Sequence, residues 1–199
     1  MPAILFALLC GAVWLLPAHA ADWLSFDRAA LWQGQWWRLW TCHLTHYTLA
    51  QLSTDASIIV ILGFVLRRYL SALFLAVSLL LVLPLISGLM LLLMPEMSSY
   101  RGASAVGALL WVWLGCTLLY NSRVFSFSFW LGGCIISLLA TKIIVEKWAL
   151  LPPISNLPEY VQIAWQAHLL GAVSGLLLSI LWQHSHQAAL AKNRLSAAD

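Results

Sequence analysis

The 199-residue chain is 62% hydrophobic and 9% charged, with a mean hydropathy of +0.89 and a formal net charge of +3. A soluble domain lies nearer 45–50% apolar and about 25% charged, so this composition excludes one and reads as an integral membrane protein. The small, scattered positive charge gives no footprint for a nucleic-acid partner, and Cys10, Cys42, Cys116 and Cys134 lack the paired spacing of a disulfide framework or zinc site.

A helix needs about 20 apolar residues to cross a bilayer, and about six such stretches fit the chain, near residues 2–17, 46–66, 70–94, 104–120, 125–145 and 164–183. They predict an all-α bundle in one domain over residues 1–199, with a short cytoplasmic tail from about residue 184. In the first stretch, Ala18-His19-Ala20 ahead of Ala21-Asp22 has the small-residue look of a signal-peptidase site. No basic residue precedes it, so the stretch is read as a retained span.

Residues 21–45 carry Trp23, Trp32, Trp36, Trp37 and Trp40 with Phe26 and Leu31. They are too broken to span and too apolar to float in water. Indoles settle at the headgroup level, so an interfacial loop is predicted here, with Trp37-Arg38 near its end. A plain aromatic belt accounts for most of these tryptophans but not for the length of the segment.

The second span begins Cys42-His43-Leu44-Thr45-His46 and contains Gln51 and Asp55. At about 100° per residue, His46, Gln51 and Asp55 fall within one half of a helix. An Asp at that depth costs at least about 2.5 kcal/mol, which marks it as functional or firmly paired. Arg67-Arg68 follow, then a long apolar third span containing Pro84.

The fourth span opens at Tyr100-Arg101-Gly102-Ala103-Ser104-Ala105-Val106-Gly107. A hydroxyl where a loop becomes a helix faces unpaired N–H groups and the positive end of a dipole. It also makes an ordinary helix cap. The fifth span contains Gly132-Gly133 and Lys142, and residues 146–163, with Pro152, Pro153 and Pro158, read as an irregular loop. The sixth carries Ala167-His168-Leu169-Leu170-Gly171 and Gly175, a GxxxG spacing suited to close helix packing.

Basic residues divide evenly between the two sides. Arg67, Arg68, Arg123, Lys192 and Arg194 lie on one, and Arg28, Arg38, Arg101, Lys142 and Lys147 on the other. The first group sits in very short loops and a tail close to helix ends, where the positive-inside rule has most force. Both termini are therefore expected in the cytoplasm, with Ser104 and His168 near the opposite face.

A Ser-His pair is the minimum for nucleophilic acyl transfer, the imidazole taking the hydroxyl proton and returning it to the leaving amine. Two other readings stay open at this stage. His43, His46 and His168 could ligate a haem or metal, and Asp55 could serve a transporter as a proton or cation site.

Taken together, Trp37-Arg38, the His-rich start of the second span, Gly102-Ala103-Ser104 and Ala167-His168-xx-Gly171-xxx-Gly175 resemble the rhomboid intramembrane serine proteases from residue 37 to 183. That resemblance implies a bundle of six transmembrane helices, Ser104 as nucleophile, His168 as base, His46 in support, and no cofactor. Gln51 and Asp55 stand where the family places oxyanion donors; Gln51 can donate, whereas an ionised Asp55 cannot and must be protonated, turned away, or holding a neighbouring His or Gln in place. Tyr100-Arg101-Gly102-Ala103-Ser104 with Asp55 resembles more specifically the rhombosortase branch. This implies a bacterial inner-membrane enzyme, open towards the periplasm, whose partners are membrane-anchored proteins ending in a Gly-Gly motif, a transmembrane helix and a basic tail. A rhomboid-like protein that binds helices without cutting them is the alternative within the same resemblance.

Overall fold

The computed structural model describes residues 1–150 and 165–196, with side chains to residue 187. Nine helices follow one another in it: α1 (Pro2–Trp14), α2 (Ala18–Leu24), α3 (Arg28–Trp32), α4 (Arg38–Thr41), α5 (Leu49–Leu66), α6 (Ala72–Leu93), α7 (Ser104–Asn121), α8 (Phe127–Lys147) and α9 (Trp165–Ser196). Among the described residues, α5 to α9 are long and apolar enough to cross a membrane. The helix α1 is apolar but has only 13 residues, which at 1.5 Å per residue falls about 10 Å short of a 30 Å hydrocarbon core. Ala18–Leu24 continues as a separate helix after Pro17, because proline removes an N–H that a longer helix would use.

Capping sets the helix starts. The side chains of Thr48, Ser71 and Ser126 accept N–H groups from the first turns of α5, α6 and α8, satisfying donors that lipid would leave orphaned. The helix α7 stands at the centre, touching α5, α6, α8 and α9. It is the most buried of the spans and α8 the least. Close approach is set by small residues: a Cβ on Gly63 would stand 2.3 Å from Ala3 Cβ, one on Gly132 2.8 Å from the Gly115 carbonyl oxygen, and one on Gly175 2.2 Å from that of Leu109. These contacts seat α1 on α5, α8 on α7 and α9 on α7.

The segment ahead of α5 is more ordered than an aromatic belt requires. Phe26–Asp27 pairs antiparallel with Ser99–Tyr100 as a two-residue ladder, Phe26 opposite Tyr100. Arg38 is buried and donates to the carbonyls of Asp22 (2.8 Å) and Ser25 (2.7 Å). Trp37 donates its indole N–H to the Trp23 carbonyl at 3.3 Å and lies against the Trp23 ring. Arg28 donates to the carbonyls of Leu91, Met94 and Met97, capping the α6 C-terminus. Pro84 has no N–H for the Leu80 carbonyl, and the indole of Trp40 supplies one at 2.9 Å. The loop is thereby bonded to both ends of the α6–α7 connection.

Several helix boundaries differ from the sequence expectation. Residues 42–44 form a short 3-10 turn and α5 begins only at Leu49, because the Thr48 side chain caps the helix by accepting the Gln51 N–H. The helix α9 runs on through residues expected to be tail, as far as Ser196. Most of the proline-marked loop, residues 151–164, lies outside the described residues.

Candidate active site

Ser104 is the first residue of α7, with Ala103 as its cap. The chain reaches it through Gly102 at φ +138°, a conformation L side chains rarely adopt, and a Cβ there would stand 2.6 Å from Gln51 Nε2. Backbone angle and space both call for glycine.

Two side chains of α5 hold this approach. Asp55 Oδ2 accepts the Ala103 N–H at 2.9 Å and lies 3.2 Å from His46 Nε2. Gln51 donates Nε2–H to the Arg101 carbonyl at 3.0 Å and accepts the Tyr47 N–H at 2.9 Å. Gly102 N–H reaches the Cys42 carbonyl at 3.2 Å. Because α5 starts at Leu49, His46 meets Asp55 from the connector and not from a shared helical face, which corrects that detail of the periodicity argument. Asp55 is an acceptor for a backbone N–H and an imidazole, the third of the arrangements open to it. Arg101 lies over the Tyr47 ring and pairs with Asp22, fastening the outer edge.

Tyr100 is buried beside Ser104. Its hydroxyl has no hydrogen bond of good geometry among the described residues. Burial pushes its ionisation well above the ordinary range, with the neighbouring Ser104 hydroxyl acting in the other direction. It is a neutral phenol, unsuited to act as a base.

His168 lies in α9, buried, with Nδ1 2.5 Å from Glu146 Oε2 on α8. Lys142 Nζ pairs with Glu146 Oε1 and lies 3.3 Å from Nδ1. Two bare acceptors do not approach that closely, so the tautomer assigned from these partners has Nδ1–H donating to the carboxylate and the basic lone pair on Nε2. The stretch from residue 146 read as loop is thus still helical at Glu146 and Lys147. Lys142 and Glu146, spaced i,i+4, are the signal that would have shown it.

The helices bearing Ser104 and His168 are in direct contact. A Cβ on Gly171 would stand 2.1 Å from the Ala105 carbonyl oxygen. Gly171 on Ala105 and Gly175 on Leu109 keep the same offset, so α7 and α9 run parallel and His168 stands within one helical turn of the level of Ser104. No hydrogen bond joins the two side chains among the described residues, and such bonds often tighten only around substrate.

A different serine and histidine do touch. His43 Nε2 lies 2.7 Å from Ser87 Oγ, with Cys42 Sγ 3.4 Å from the same hydroxyl. Ser87 donates to the Leu83 carbonyl of its own helix, so Nε2–H donates to Ser87, opposite to the direction a base needs. His43 and Ser87 are both at 0% exposure, beyond the reach of any substrate. Burial holds His43 down to about 4 and pushes the Cys42 thiol up to about 12, so both are neutral packing groups. His43, His46 and His168 are committed to Ser87, Asp55 and Glu146 respectively, and no group of three or more metal-ligating side chains converges among the described residues.

The family model described as Rhomboid domain matches residues 33–184. A comparison with curated proteins finds no match.

Proposed function

The chain belongs to the rhomboid family, and from that premise we propose that it is a serine intramembrane endopeptidase using Ser104 as nucleophile and His168 as base. The observation that carries this reading is the seating of Gly171 on the Ala105 carbonyl, which supports a meeting of the two side chains at one end of two parallel helices. Ser104 Oγ attacks the scissile carbonyl carbon while His168 Nε2 takes its proton. The tetrahedral intermediate collapses as Nε2 returns that proton to the leaving amine. Water then attacks the acyl-enzyme by the same path, releasing the acid and restoring Ser104. The developing oxyanion is met by first-turn N–H groups of α7 and by the second amide hydrogen of Gln51, whose first is held by Arg101. Asp55 supports the site by holding Ala103 and His46.

The substrates we infer are membrane proteins ending in a Gly-Gly motif, a transmembrane helix and a basic tail, as in the rhombosortase branch. Tyr100-Arg101-Gly102-Ala103-Ser104 together with Asp55 supports that assignment. The compact basic loops support a site facing away from the cytoplasm of a bacterial inner membrane. Co-expression with a Gly-Gly-tailed membrane protein tests the reading. Wild type releases the product, and Ser104→Ala and His168→Ala leave the substrate intact; equal processing by all three contradicts it.

A further inference from the structure

The Ser104-His168 reading leaves the other face of the His168 ring unexplained. On that reading, we propose that Glu146 is a positioning residue for His168, orienting the imidazole through Nδ1 and balancing the positive charge it gains when it takes the Ser104 proton. The contact is short, Nδ1 to Oε2 2.5 Å, and the Glu146 side chain is only 13% exposed near the end of an apolar span. A carboxylate there is costly unless something uses it.

Packing does not explain its placement, because α8 buries only Gly132 and Leu139. Glu146 is held from its own helix by Lys142, whose ammonium takes the other carboxylate oxygen and also lies 3.3 Å from His168 Nδ1. That leaves Oε2 aimed at the ring. A carboxylate on Nδ1–H fixes the tautomer that presents Nε2 as the base and stabilises the imidazolium without itself taking the proton. A glutamine in its place carries no charge and can equally donate to a bare Nδ1, which admits the unproductive tautomer.

The full chain in detergent micelles, labelled with a fluorophosphonate probe, separates these roles. Glu146→Gln lowers the maximal labelling rate at least roughly tenfold, with half-saturating probe concentration and melting temperature unchanged, and Glu146→Asp recovers part of it. Wild-type labelling by Glu146→Gln, with none in Ser104→Ala, overturns the role of Glu146 and leaves the nucleophile standing. A loss that tracks a lower melting temperature in both Glu146 variants makes Glu146 a structural brace and also overturns it. Undiminished labelling of Ser104→Ala removes the underlying dyad instead.

Discussion

Asp55 poses the sharpest question at the scale of single residues, since a carboxylate beside a developing oxyanion opposes the reaction. The structure gives it another task, as one oxygen accepts both the Ala103 N–H and the His46 imidazole. An asparagine oxygen can accept the same two donors, whereas alanine orphans both at about 1–3 kcal/mol each. Asp55→Asn is therefore expected to keep most of the activity and melt within a few degrees of wild type, while Asp55→Ala loses both, as read by processing assays and thermal melts. The carboxylate and a neighbouring His as its partner were legible in the sequence, but the Ala103 N–H and the route by which His46 arrives were not. His46 reaches it from outside the helix, and no helical period describes such a contact.

His43 supplies the pH dependence at the same scale. Burial lowers its folded-state value from 6.5 to about 4, so the unfolded chain binds a proton first as the pH falls. Its contribution is fully present above pH 6.5, is lost progressively between 6.5 and 4, and amounts to about 3 kcal/mol in all. Melting temperatures in detergent should be level from pH 8 to 7, fall steeply towards pH 4.5, and fall less in His43→Asn. A flat profile in wild type would contradict the neutral, buried state of the ring.

At the scale of elements, the contact of α9 with α7 is the one on which the site depends. Replacing Gly171 by alanine puts a methyl 2.1 Å from the Ala105 carbonyl oxygen, and backbone on both sides must move. Overpacking of this kind costs about 1–3 kcal/mol, or roughly 2–12 °C in melting temperature for a chain of this size. Activity should fall further than stability, since Ser104 and His168 separate with the helices. Gly133→Ala, in open space on α8, is the control and should be neutral or slightly stabilising. The GxxxG spacing made this packing legible in the sequence. The ordering of the 21–45 segment was not, because its ties run from Arg28, Arg38 and Trp40 to backbone carbonyls that carry no sequence mark. Only Pro84, by removing an N–H, advertised that some carbonyl needed a donor.

For the whole molecule, hydropathy alone was enough to find a multi-pass bundle, since lipid admits only segments that satisfy their own backbone. The first apolar stretch forms the shorter apolar helix α1, packed on α5 beside the five long spans. The pairing of distant side chains needed the fold. His168 meets Glu146 because α8 runs back to the end where α7 and α9 begin, and the sequence read that part of α8 as loop. The central claim is that Ser104 is a nucleophile activated by His168, and mapping a fluorophosphonate adduct by peptide mass spectrometry tests it most directly. The account predicts a single modified serine at position 104 in wild type and no adduct there in His168→Ala; an adduct on another serine, or equal modification of Ser104 without His168, would contradict it.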